Sequence, residues 1–194
     1  MCGRYYVEEE TWDVVRSDFP ELSCGVPVFP SGDIMPSMNA PSLVPNNRNG
    51  LQTASLTWGF PGFNDGKLII NARAEGIADK PTFADSIRKR RCVLPAAGFY
   101  EWDRSKQKVG FTLADMPILY LAGVYRPYGE ALRFVIITRE ANESMLPVHD
   151  RMPLIIPSGN VKDWIFDPDA AKELLMQPQP PLKAERRYEQ MSLF

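Results

Sequence analysis

Apolar residues in this chain fall into short runs broken by Pro, Gly and Asn, and no long periodic stretch dominates. Residues 7–19 carry Val7, Trp12, Val14, Val15 and Phe19 among acids, the spacing of a short amphipathic helix. Residues 20–40 are rich in Pro, Gly and Ser and read as loop. Apolar runs at 43–45 and 51–58 flank Asn46-Asn47-Arg48-Asn49-Gly50, which predicts a hairpin. A short strand is expected at 67–71 and a helix at 81–89, started near Pro81 or Thr82. Residues 92–95, 99–102, 109–114, 118–125 and 132–138 are β-rich, 151–157 is a further strand, and 161–176 holds one or two helices. After Met176, residues 177–194 open on Gln-Pro-Gln-Pro-Pro and form a polar tail that is expected to pack back on the core through 191–194. Many strands with scattered helices, without repeat or internal linker, imply an α+β fold. The expectation is a single domain over 1–194 with a largely antiparallel, barrel-like β core and a few peripheral helices.

Composition narrows the chemistry. At 194 residues, with 44% hydrophobic and 24% charged positions, the chain has the make-up of a soluble globular domain. No apolar run approaches the roughly 20 residues of a membrane span, so no membrane partner is expected. The single histidine, His149, excludes every site that needs two imidazoles. Cys2, Cys24 and Cys92 are too few and too widely spaced for a disulfide framework or a metal knuckle. The opening residues lack an apolar signal core and turn acidic at once, so a cytoplasmic location, at the nucleoid where DNA is damaged, is the expectation. The net charge of −2 speaks against a uniformly basic nucleic-acid coat. It averages unlike parts, however. Residues 1–60 hold 3 basic and 7 acidic groups, or −4, whereas 66–110 hold 10 basic and 5 acidic groups, or +5. The basic excess includes Arg88-Lys89-Arg90-Arg91, a run that is commonly a solvated helix face.

Cys2 stands out. Once Met1 is removed it carries an α-amine with a reference pKa of about 8 beside a thiol of about 8.5. Such a 1,2-aminothiol reacts with aldehydes, the amine forming a Schiff base and the thiolate closing a thiazolidine. The same pair can serve an N-terminal-nucleophile hydrolase, with the amine as base for its own thiol. A cysteine at position 2 also occurs by chance.

Four segments carry the remaining chemistry: Cys2-Gly3-Arg4-Tyr5, Ile70-Asn71-Ala72-Arg73-Ala74-Glu75, Arg91-Cys92-Val93-Leu94-Pro95-Ala96-Ala97-Gly98-Phe99-Tyr100-Glu101-Trp102, and Val148-His149-Asp150-Arg151-Met152-Pro153. In this order, with cysteine at position 2, the sequence resembles the SOS-response-associated peptidase (SRAP) family, which bacteria share with eukaryotic abasic-site shield proteins. The resemblance runs from residue 1 to about 157, and Ser192-Leu193-Phe194 is also similar. It implies that Cys2, exposed by self-removal of Met1, forms a thiazolidine cross-link with the ring-opened aldehyde of an abasic site in single-stranded DNA. It implies that Asn71 orients the Cys2 amine and the sugar, that Glu101 is the acid/base, and that His149 assists ring opening. Arg4, Arg73 and Arg151 match positions that hold phosphates; Pro36 and Trp102 match positions where DNA is wedged and a base is stacked. The implied partner is single-stranded DNA containing abasic sites. A monomer is expected, with no metal and no cofactor, because one carboxyl and one imidazole near an aminothiol meet the needs of imine chemistry.

Each residue also has a plainer reading. Asn71 can cap a turn. Glu101, between Tyr100 and Trp102, is expected to be half-buried, which suits a proton shuttle, or to face outward on its strand. His149 can be structural, although histidine alone ordinarily changes charge between pH 5 and 8. Asp150 and Arg151 can form a surface ion pair. Trp58 and Trp102 can be core, and Cys24 and Cys92 read as structural. Removal of Met1 can be autocatalytic or the work of an aminopeptidase. The family's Asn-x-Ala-Pro stretch is Asp33-Ile34-Met35-Pro36 here, which puts an acid where DNA approaches, and Phe63 stands where a second tryptophan is usual. The alternative function is an N-terminal-nucleophile or thiol peptidase acting on peptides; a third is a non-catalytic single-strand-binding module.

Overall fold

One asparagine builds the turn at 46–50. In the computed structural model, which describes residues 2–22, 31–62 and 66–186, the Asn46 side-chain oxygen accepts from the backbone N–H groups of Arg48 (2.8 Å) and Gly50 (2.9 Å). Asn49 takes the left-handed conformation (φ 57°) that asparagine tolerates. The strands in chain order are β1 (Arg4–Val7), β2 (Gly32–Ile34), β3 (Asn39–Pro45), β4 (Leu51–Trp58), β5 (Phe60–Pro61), β6 (Leu68–Ile69) and β7 (Asn71–Arg73). They continue with β8 (Arg91–Ala96), β9 (Gly98–Trp102), β10 (Lys108–Leu113), β11 (Leu119–Tyr128), β12 (Ala131–Glu140), β13 (Arg151–Pro153) and β14 (Leu182–Arg186). The α-helices are α1 (Glu9–Asp18), α2 (Ala84–Lys89), α3 (Val161–Phe166) and α4 (Pro168–Met176).

The strands β11-β8-β3-β4-β12 are neighbours in that order, and β12 pairs back with β11, which closes a five-stranded barrel. Closure removes the exposed edges of an open sheet. Most of its seams are antiparallel; β4 and β12 meet in parallel, at Arg133↔Thr57 and Phe134↔Trp58. A second, antiparallel sheet runs β14-β10-β9-β1-β2. Its inward residues Tyr5, Phe99 and Phe111 join the cluster that holds Cys92, Leu94, Trp58 and Phe134 of the barrel. The other face of β8 presents Val93 to a cluster with Val161 and Trp164 of α3 and Trp12 and Val15 of α1. The fold is therefore α+β, with a largely antiparallel barrel core and peripheral helices.

Several local expectations change. Val7 ends strand β1, and α1 starts at Glu9, where the Glu8 backbone N–H donates to Thr11 Oγ1 at 2.9 Å. Residues 20–40 are not loop throughout, because β2 and the start of β3 find pairing partners there. The strand expected at 67–71 breaks at Ile70 into β6 and β7. Of the one or two helices expected over 161–176, two form, divided at Pro168, where Asp167 accepts from the N–H groups of Asp169 and Ala170 and caps α4. Strand 151–157 shortens to β13, followed by one bridge at Leu121↔Ile155.

The basic run is absorbed by the fold. Lys89 and Arg90 both pair with Asp85. Arg91 is buried, and its guanidinium donates to the carbonyls of Ile87, Arg88, Trp164 and Ile165. It thereby satisfies carbonyls at the ends of α2 and α3. Cys24, Phe63 and 191–194 lie outside the described residues. Residues 182–186 return as β14 on β10.

Candidate active site

Register brings the first residues to the third motif. β1 lies antiparallel to β9 with Arg4↔Tyr100 and Tyr6↔Gly98, so the residues before Arg4 run alongside Glu101 and Trp102. Gly98 is required there: a Cβ would come within 2.5 Å of the Tyr6 hydroxyl and 2.7 Å of the Phe111 carbonyl oxygen. Strand alternation then sends Phe99 and Glu101 to one face and Tyr100 and Trp102 to the other. On the outer face the Arg4 guanidinium stands 5.4 Å from the Trp102 ring centre, and Tyr6 stacks on Tyr100 at 5.0 Å. On the inner face Glu101 is 4% exposed, more deeply placed than the half-buried position expected of it.

Cys2 is fully buried in the chain that carries Met1. Burial pushes its thiol well above the ordinary range, and the Glu101 carboxylate pushes it further the same way. The Arg4 backbone N–H works in the opposite direction. In the unprocessed chain burial therefore outweighs the favourable contact. Tyr5 lies close enough for the Cys2 thiol to act on its hydroxyl, which is buried without a hydrogen-bond partner among the described residues.

Asn71 reaches Cys2 from the barrel. Its Nδ2 donates to the Cys2 carbonyl at 3.1 Å. The strand break beside it is pinned: the Ile70 carbonyl accepts from Trp58 Nε1 (2.9 Å) and from the Ile136 N–H (3.1 Å). Asn71 then lies opposite Ile136 on β12. Its Oδ1 is buried and lacks a hydrogen-bond donor among the described residues. Such an atom is costly unless something fills it.

His149 ends a braced turn. Met145, fully buried, anchors it, and the His149 N–H donates to the Met145 carbonyl at 3.1 Å. Asn142 ties the turn to the chain before β14 by donating to the Gln179 and Pro180 carbonyls. Two neighbours compete for His149 Nδ1: the Arg151 backbone N–H at 2.9 Å and Asp150 Oδ1 at 2.9 Å. One nitrogen cannot accept from the first and donate to the second at once. In the neutral ring Nδ1 accepts from Arg151 and the proton sits on Nε2; in the imidazolium Asp150 is the partner. Trp102 and His149 line one cavity of about 440 Å³, with Arg104 and Leu146. Arg73 and Arg151 line a neighbouring one of about 530 Å³, and Leu146 and Asp150 border both.

The arginines divide. Arg73 is exposed. Arg4 shares its charge with Asp33 at 3.4 Å. Arg151 is braced within the protein: its Nη1 and Nη2 donate to Glu75 Oε1 (3.0 Å) and Oε2 (2.8 Å), and Nη2 also to the Thr138 carbonyl (2.8 Å). It does not form the surface pair with Asp150 of the plainer reading, because Glu75 offers a bidentate fit. Pro36 lies in the 35–38 turn, which is fastened to Trp58 through Ser37 N–H to Trp58 O (2.8 Å) and Trp58 N–H to Met38 O (2.9 Å). Trp58 is core and Trp102 is 37% exposed, so the core reading holds for Trp58 and not for Trp102. The structure thus unites Cys2, Asn71 and Glu101, gathers His149 with Trp102, and adds Glu75 and Asp150. Both additions stand inside the motifs, but nothing in a linear motif distinguishes a braced arginine from one that faces a phosphate.

Among the described residues no group of three or more His, Cys, Asp and Glu side chains is arranged to hold a metal ion. Nor is any of the described helices long and apolar enough to cross a membrane.

The geometry sits within a family pattern. The profile of the SOS response associated peptidase (SRAP) family matches residues 1–191. The abasic site processing protein YoaM of Bacillus subtilis is 34% identical over 200 aligned residues, covering 91% of this chain and 86% of that protein. The abasic site processing protein YoqW of the same organism is 33% identical over 194, covering 90% and 86%. The crystal structure of a phage-related protein from Bordetella bronchiseptica superposes with a TM-score of 0.80 at 25% identity, over 97% of this chain and 95% of that one. With its profile spanning nearly every residue and relatives above 30% identity, the chain belongs to the SRAP family.

Proposed function

We propose that this protein processes abasic sites in DNA, as the names of its relatives state for them, and that it does so by covalent capture in single strands through Cys2. The observation that carries the reading is the meeting of Cys2, Asn71 and Glu101 at the barrel–sheet junction. Removal of Met1, by the chain itself or by an aminopeptidase, converts the Cys2 amide nitrogen to an amine. The Asn71 Oδ1, an acceptor lacking a donor among the described residues, is suited to that new N–H group.

The chemistry balances without a cofactor. The Cys2 amine adds to the C1′ aldehyde of the opened sugar and gives a carbinolamine. An acid donates a proton to the hydroxyl, which leaves as water, and an imine remains. The Cys2 thiol adds across the C=N bond, its proton passing to nitrogen, and closes the five-membered ring. One water is lost overall. Glu101 is the acid/base beside Cys2, and His149 moves the proton that opens the sugar. Arg73 and Arg4 hold phosphates, the exposed Trp102 stacks a base, and the Pro36 turn wedges the strand.

A denaturing gel of protein with an abasic single-stranded oligonucleotide tests this. A band that resists denaturation and disappears in Cys2→Ala supports it. No such band, together with turnover of an amide substrate, would establish the peptidase reading.

A further inference from the structure

We infer that Glu75 is a positioning residue for His149 and acts through Arg151. The inference rests on the proposed function above for what His149 does, but not for how it is held.

Three elements meet at this ion pair. Glu75 follows β7, Arg151 opens β13, and β12 lies between them, paired with both. The two carboxylate oxygens take the two terminal nitrogens of Arg151, at 3.0 and 2.8 Å. The Thr138 carbonyl of β12 accepts from Nη2 at 2.8 Å, and the Glu140 N–H of β12 donates to Glu75 Oε1 at 3.3 Å. The Arg151 side chain is only 11% exposed, so its position is set from within the protein. Its own backbone N–H then donates to His149 Nδ1 at 2.9 Å. That bond keeps Nδ1 unprotonated in the neutral ring and puts the proton on Nε2, the arrangement in which Nε2 offers a hydrogen-bond donor to the sugar. Truncation of Glu75 leaves Arg151 without its bidentate partner beside a single remaining carbonyl. The strand end that presents the amide then loosens. The effect on chemistry reaches the DNA only through the imidazole.

His149 is the single histidine, so in protein labelled with 15N-histidine each imidazole nitrogen gives one signal. At a pH where the ring is neutral, wild-type protein is expected to show a pyridine-type Nδ1 and a pyrrole-type Nε2. In Glu75→Gln the two signals should move toward each other as the tautomers mix. Cross-linking at saturating oligonucleotide should slow by about 10-fold, the scale of one hydrogen bond lost from the reacting sugar. The DNA concentration for half-saturation should change less than about 2-fold, and Glu75→Asp should recover part of the rate. Unchanged signals in Glu75→Gln would overturn the inference. So would a loss that appears only in half-saturation with a steeper salt dependence, which marks Arg151 as a masked phosphate ligand. Wild-type protein that never cross-links abasic DNA would sink the proposed function, while the imidazole signals still decide the role of Glu75.

Discussion

The side-chain amide of Asn71 donates to the main-chain carbonyl of Cys2 at 3.1 Å, a bond between residues 69 apart in sequence. It ties Cys2 to strand β7, which pairs with the barrel strand β12 and is held in turn by the Ile70 carbonyl under Trp58. The Cys2 backbone is therefore fixed before any DNA arrives, which is what a reaction limited by orientation requires. Asn71→Ala removes one hydrogen bond worth about 1 kcal/mol. It also frees Cys2, so cross-linking should slow by about 10-fold or more. Thermal melts and gel time courses read the two effects separately; a rate at the wild-type level would remove Asn71 from the centre.

The buried thiol of Cys2 should be a poor nucleophile while Met1 remains. At pH 8 alkylation of Cys2 by iodoacetamide should be slow in the unprocessed chain and faster once Met1 is lost. Burial is the largest cause of the raised thiol and the Glu101 carboxylate the next, so Glu101→Gln should speed alkylation only modestly. Peptide mass mapping over time distinguishes this from an already reactive thiol, which would label at once.

Much of this was legible in the sequence. The hairpin at 46–50, the α+β class and the four motifs could all be read from local spacing and residue type. What could not be read is pairing at a distance. Nothing around Glu75 or Arg151 in the linear chain says that they meet across β12, so the brace on Arg151 was not legible. The same holds for Arg91, which a basic run suggests is solvated and which the ends of α2 and α3 enclose. Strand β2 was hidden because its three residues, Gly32-Asp33-Ile34, have no periodicity of their own and are strand only through their pairing with β1.

Glu75 gives acid stability a defined window. Arg151 holds its carboxyl at about 2, below the ordinary 4.5. The pair's contribution is complete above about 4.5 and declines as the pH falls through that value toward 2, where the folded chain also takes the proton. Glu75→Gln should therefore flatten the dependence of Tm on pH between 4.5 and 2. Parallel curves for the two proteins would contradict the assignment.

Asp33 restrains Arg4, and the two side chains are 28% and 35% exposed. Asp33→Asn should tighten reversible binding of single-stranded DNA by about 2–5-fold and steepen its salt dependence, because Arg4 gains a phosphate. Arg73→Ala should do the reverse. Fluorescence anisotropy at several salt concentrations measures both, and an unchanged slope would exclude either arginine from phosphate contact.

Trp58 holds β4 against the Asn71 strand, stacked on Phe134 at 5.9 Å and bonded to the Ile70 carbonyl. Trp58→Ala should cost about 3–5 kcal/mol in denaturant unfolding. Trp102→Ala, on the surface, should cost under about 1 kcal/mol and weaken DNA binding instead. Equal stability losses would mean that the two tryptophans do not divide into core and binding surface.

The most direct test is the intact mass of the protein after incubation with an abasic single-stranded oligonucleotide. The predicted species has lost Met1 and gained the oligonucleotide less one water, and it is missing in Cys2→Ala. Protein that keeps Met1, or that sheds it and gains no DNA mass, would contradict covalent capture through Cys2.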